Sequence, residues 1–238
     1  MECISAHPQV GGYGELLLDG VEGWSDWPKG ARDRPFYTTY LKDRGAQGSH
    51  LRRHSMMFRY LDYLYEDRRG LGAIGFKLMY NQAWRHPEVV PYLRLHGVRV
   101  IHLFRENVLD IHLSREALLL RTVAHARSEE ERERIRVRLD VGRLARELRR
   151  LRREQQVARL AVRACGLATH EVFYEQALAD DAVLHRTLAF LGINSSADVD
   201  LSPTMLKLAP PSHRESIENF EEVAATLADT PFAGLLKE

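Results

Sequence analysis

The run Val100-Ile101-His102-Leu103-Phe104-Arg105-Glu106-Asn107 places an arginine directly after a stretch rich in apolar and β-branched residues, and Ser114 follows. A strand is expected over residues 98–104, and a helix carrying Ser114 after it. An arginine at the carboxyl end of a parallel strand stands where open α/β sheets bind ligands. Its guanidinium can grip a phosphate with two hydrogen bonds, and a serine two turns into the next helix can return to the same side and donate a third. Spacing alone leaves a second outcome open, in which Arg105 pairs with a carboxylate.

Lys77 lies in residues 72–80, an apolar run that reads as a strand, where an unpaired ammonium is costly. It must be paired or functional. Glu175, at the end of a third expected strand over residues 170–174, is one candidate partner. The chain has 11 histidines. His50 and His54 have helical spacing but lack the glutamate of the metalloprotease arrangement, and His102 alternates with apolar residues, so no metal site is expected. His112, on the helix after Arg105, can approach that arginine's site. Trp24, Trp27 and Tyr37, near Phe36 and Tyr40, form an aromatic stretch that either lines an acceptor pocket or packs in the core.

The elements that must position these residues alternate strand with helix. Helices are expected over residues 51–67, 89–95, 180–191, with Gly192 as the carboxyl cap, and 215–227. This order signals an α/β protein with a mostly parallel sheet. The 238 residues suit one domain with elaborations. Residues 117–164 form a helical insertion without aromatics, and between Arg121 and Arg163 fourteen arginines face seven acids. That surplus makes either an electropositive face for an anionic ligand or nucleic acid, or a solvated helical arm whose stripe Leu139, Leu144, Leu148, Leu151, Val157 and Leu160 packs on the domain or on a second copy as a homodimer. Interleaved acids and the lack of stacking aromatics favour the arm.

With 34 basic and 33 acidic side chains, the net charge of +1 removes any whole-molecule argument for a nucleic-acid or anionic-membrane partner. Cys3 and Cys165 are too few for a disulfide framework and too far apart for a zinc knuckle, which points to a reducing, cytoplasmic setting. No apolar run is long enough to suggest a membrane span.

Read together, His7-Pro8-Gln9-Val10-Gly11-Gly12-Tyr13-Gly14-Glu15-Leu16, Gly75-Phe76-Lys77-Leu78-Met79, and residues 100–109 with Ser114 resemble the sulfotransferase family. The nearest branch is that of bacterial enzymes sulfating carbohydrates, lipids and small metabolites. The similarity continues through Phe173-Tyr174-Glu175-Gln176-Ala177-Leu178, Ala189-Phe190-Leu191-Gly192-Ile193 and Ile217-Glu218-Asn219-Phe220, so it spans nearly the whole chain.

The resemblance implies a single domain over residues 1–238, with a P-loop-like parallel sheet flanked by helices. It also implies transfer of a sulfuryl group from 3′-phosphoadenosine 5′-phosphosulfate (PAPS) to a hydroxyl, less readily an amine, of a small-molecule or glycan acceptor, with no metal. On the family pattern Arg105 and Ser114 hold the donor's 3′-phosphate, and Glu15 is the general base, against the alternative of a surface glutamate in a glycine-rich turn. Lys207, Ser212 and Arg214 fall where relatives close a segment over the nucleotide, although the glycine-rich signature of many eukaryotic relatives is absent. Relatives also begin with a strand and a glycine/serine/threonine-rich loop for the 5′-phosphosulfate. Met1–Pro8 aligns with the helix after that loop, so the expectation is a start downstream of half the donor site, through a late-assigned start or a truncation. The alternative is a catalytically inactive, sulfotransferase-like binding or interaction module.

Overall fold

The computed structural model describes residues 2–25, 34–46, 50–66, 70–120, 136–194 and 212–236. The strands among them are β1 (Val10–Tyr13), β2 (Trp24–Ser25), β3 (Arg34–Pro35), β4 (Ala73–Phe76), β5 (Val100–Phe104) and β6 (Thr169–Phe173). The helices are α1 (Glu2–Ser5), α2 (Tyr37–Asp43), α3 (His50–Tyr65), α4 (Tyr80–Arg85), α5 (Val89–Leu95), α6 (Val108–Leu120), α7 (Val141–Ala164), α8 (Tyr174–Ala179), α9 (Asp181–Phe190), α10 (His213–Ser216) and α11 (Phe220–Leu227). The chain is mixed α/β, with small sheets and a larger share of helix. Among the described residues the strands form three two-stranded pairs rather than one continuous sheet. β1 and β4 are parallel, with Tyr13 opposite Phe76, while β2 and β3 are antiparallel. β5 and β6 are hydrogen-bonded neighbours.

Chain contacts separate two compact units. The first comprises Met1–His102, Ala161–Val172 and Gln176–Ser202, and the second Leu103–Leu160, Phe173–Glu175 and Pro203–Glu238.

The first unit has an aromatic core. Tyr13, Tyr37, Tyr40, Tyr60 and Tyr92 are buried there with Leu16, Leu61 and Leu64. Burying a phenol requires a partner for its hydroxyl. Tyr60 donates to the Pro35 carbonyl (2.7 Å) and Tyr92 to Asp62 Oδ1 (2.9 Å). Helix α9 begins as its sequence requires: Asp180 accepts the Ala182 N–H at 2.9 Å, an amino-terminal cap. It ends before Gly192, whose φ of 82° is the left-handed conformation that favours glycine.

The second unit has an aliphatic core. Leu144, Leu148 and Leu151 present one buried face of α7 to Leu109, Leu113, Val223 and Leu227. Each such leucine contributes about 1.5–3 kcal/mol by leaving water. The expected stripe stops there, because Val157 is 39% and Leu160 65% exposed. Acids pair with arginines along and beside the helix, as Arg143 with Asp140 (3.4 Å) and Arg150 with Glu147 (3.3 Å) and Glu154 (3.5 Å). This is the geometry of a solvated face over a packed one. Residues 121–135 of the insertion lie outside the described residues.

The helix expected over residues 215–227 is split instead. An extended segment offers its backbone to the break: Val137 N–H donates to the Ser216 carbonyl (2.9 Å) and Glu218 N–H to the Val137 carbonyl (3.0 Å). Asn219 then accepts the Leu139 N–H (3.0 Å) and donates to the Leu139 carbonyl (2.9 Å). These bonds replace the helical ones. No helix among the described residues is long and apolar enough to cross a membrane.

Candidate functional site

Two clusters of polar side chains stand at strand ends, one in each unit. In the second unit, Arg105 directly follows β5. Its turn is fixed by Glu175, whose carboxylate accepts the backbone N–H of Glu106 (3.1 Å) and Asn107 (3.4 Å). Asn107 in turn starts α6, its Oδ1 accepting the N–H of Leu109 (3.0 Å) and Asp110 (3.3 Å). The helix so placed brings Ser114 back to the arginine. Arg105 NH1 donates to Ser114 Oγ at 3.3 Å, and the guanidinium carbon lies 4.7 Å from the Tyr174 ring centroid. Asp110, one turn before Ser114, approaches Arg105 NH2 at 3.7 Å. Arg105 Nε is buried and has no hydrogen-bond partner. The backbone carbonyl of Arg105 accepts from Gln155 Nε2 (3.1 Å).

The terminal nitrogens of this guanidinium, with one weak hydroxyl contact and a distant carboxylate, retain capacity for a stronger acceptor. Phosphate or sulfate oxygens match that need in geometry and charge.

In the first unit the parallel pairing of β1 and β4 sets the second cluster. Strand β4 ends at Phe76, earlier than expected, and Lys77 lies beyond it with its side chain 48% exposed. Its N–H donates to the carbonyls of Tyr13 (3.0 Å) and Gly14 (3.2 Å), which keeps Glu15 and Lys77 side by side at adjacent strand ends. Lys77 Nζ is 2.6 Å from Glu15 Oε1. The partner of Lys77 is therefore Glu15, and Glu175 is engaged with the turn after β5. Gln82 Nε2 donates to the other oxygen of Glu15 at 3.0 Å, and Gln82 Oε1 accepts the Met79 N–H at 3.1 Å. Gln82 is buried. Both carboxylate oxygens of Glu15 thus have fixed donors, which orients the group.

Close by in the fold of this unit, burial pushes the Tyr80 hydroxyl up to about 12. It keeps its proton and is hydrogen-bonded to His102 Nε2 (2.8 Å), so His102 is a hydrogen-bonded, buried histidine.

The remaining expected residues are placed as follows. Tyr37 is 2% exposed and packs against Tyr60 and His86, so its ring belongs to the core. Trp24 contributes its backbone to β2, opposite Pro35. Trp27 and Lys207 lie outside the described residues. Ser212 Oγ accepts the Arg214 N–H (3.1 Å) as the cap of α10, and Arg214 NH1 pairs with Glu221 (2.6 Å). His112 lies on α6 near Glu116 (3.9 Å), and burial lowers its pKa. Among the described residues no group of three metal-ligating side chains is assembled.

Sequence reasoning did not single out Asp110, Gln82 or His213. Asp110 had a readable signal, since it sits four residues before Ser114 and shares its helix face. Gln82 falls three residues after Met79, the spacing of a helix-capping side chain. His213 had none, because its partner Asp110 is remote in sequence. No family model, no curated protein and no solved structure matches the chain.

Proposed function

We propose that the protein is a PAPS-dependent sulfotransferase of P-loop-like architecture acting on a hydroxyl of a carbohydrate, lipid or small metabolite. The observation that carries this reading is the Arg105–Ser114 pair at the end of β5, with the guanidinium incompletely satisfied. It fits the 3′-phosphate of the donor in charge and in donor count. Glu15 serves as general base. As the acceptor oxygen bonds to sulfur and the bond from sulfur to the donor's phosphate oxygen breaks, the acceptor proton passes to the Glu15 carboxylate. Lys77 and Gln82 hold that carboxylate in one orientation, which such a transfer needs. The order of the family-like segments along the chain supports the same reading.

The test is calorimetric titration of the chain with 3′-phosphoadenosine 5′-phosphate, beside an Arg105→Ala variant. Binding by the wild type that is lost in the variant supports the assignment. A folded wild type that does not bind the nucleotide contradicts it. Binding without any acceptor-dependent turnover would instead identify the inactive, sulfotransferase-like binding module.

A further inference from the structure

We infer that Asp110 and His213 are positioning residues for Arg105 and set how much of the nucleotide's affinity comes from its 3′-phosphate. The inference rests on the donor-side role proposed for Arg105 and Ser114. Asp110 and Ser114 lie one turn apart on α6, so one helix face turns a carboxylate and a hydroxyl toward the same guanidinium. Arg105 therefore has a partner on each terminal nitrogen, Ser114 Oγ at 3.3 Å from NH1 and Asp110 Oδ2 at 3.7 Å from NH2. The Asp110 contact is an ion pair without a close hydrogen bond. It steers the guanidinium without saturating it.

A carboxylate beside a phosphate site would work against an incoming anion unless its own charge were countered. His213 supplies the counterpart. Its Nε2–H donates to Asp110 Oδ1 at 2.7 Å, and its side chain is 6% exposed. A short hydrogen bond in a dry setting fixes the carboxylate's rotation and draws its charge away from the second oxygen. His213 is itself held at the start of α10, directly after the Ser212 cap. The chain Ser212, His213, Asp110, Arg105 thus couples the carboxyl-terminal part of this unit to the guanidinium. In this arrangement neither Asp110 nor His213 needs to touch the nucleotide.

The experiment titrates the full chain with 3′-phosphoadenosine 5′-phosphate and with adenosine 5′-phosphate, which lacks the 3′-phosphate. The ratio of the two affinities isolates that group. Asp110→Ala is expected to lower the ratio about tenfold, with affinity for adenosine 5′-phosphate unchanged. His213→Phe, which keeps the buried volume and removes the donor, is expected to lower it about threefold. Asp110→Asn, which preserves the side-chain shape and an acceptor for His213, should recover part of the loss caused by alanine. A wild-type preference for the bisphosphate that persists unchanged in both variants would overturn the inference and leave the donor assignment standing. Parallel loss of both nucleotides would also overturn it, because that is the behaviour of a merely structural pair. A wild type with no preference would overturn the donor assignment and this inference together.

Discussion

Arg105 and Lys77 each stand directly after a strand, β5 and β4, yet the structure leaves them in different circumstances. Lys77 sits in an exposed, tight pair with Glu15 at 2.6 Å, so its charge is already matched by a carboxylate. Arg105 is more buried and less satisfied, with a hydroxyl at 3.3 Å, a carboxylate at 3.7 Å and an Nε lacking any acceptor. The difference separates a cation that serves a neighbouring side chain from one that retains capacity for a ligand. Position at a strand end is common to both; the partner set decides the role.

The sharpest way to break this contrast is to remove the carboxylate that Lys77 serves. Glu15→Gln should reduce kcat by about 10²–10⁴-fold if Glu15 is the base. Affinity for 3′-phosphoadenosine 5′-phosphate should stay unchanged, as checked by acceptor-dependent turnover and calorimetry on the same preparation. A smaller kcat effect would return Glu15 to the standing of an ion-paired surface residue. Next in size is the scaffold behind Arg105: Leu148→Ala on α7 should destabilise the second unit by about 2–5 kcal/mol in urea unfolding. Lys77→Gln should cost under about 1 kcal/mol of stability, because the pair is exposed, while slowing turnover through a less ordered Glu15.

The two units should also differ in pH response, the smallest of these effects. Burial raises the tyrosine hydroxyls of Tyr60, Tyr80 and Tyr92 in the first unit, with the Asp62 hydrogen bond adding to the shift at Tyr92. Unfolded tyrosines release protons near pH 10. Above that pH the unfolded state binds fewer protons than the folded one, so stability is full below pH 10 and falls as pH rises. In the second unit burial lowers the pKa of His112 below its ordinary 6.5. The unfolded state then takes up the proton first, and stability is lost as pH falls from 6.5 toward the folded value. Thermal melts across pH, with His112→Gln flattening only the acid limb, check both signs.

Much of this arrangement was legible in the sequence. Apolar runs located β4, β5 and β6 to within a few residues, and a helix over residues 180–191 ending at Gly192 was legible because a carboxyl cap is local chemistry. Short strands were not legible. β1 consists of Val10, two glycines and Tyr13, whose alternation is too brief to show a period of two, and it is defined by its pairing with β4. Residues 217–219 read as helix from their apolar spacing, but bonds to residues 137–139 override local preference there. At the site, Arg105 with Ser114 could be read because both lie on one strand–helix unit. Glu15 with Lys77 could not, since their meeting depends on two strands distant in sequence becoming parallel neighbours.

The most direct test of the central claim compares these two cations by calorimetry with 3′-phosphoadenosine 5′-phosphate. Arg105→Ala should weaken binding by about a hundredfold, while Lys77→Gln leaves it unchanged. Equal losses in the two variants, or none in Arg105→Ala, would contradict the assignment of Arg105 as the residue that binds the donor's 3′-phosphate.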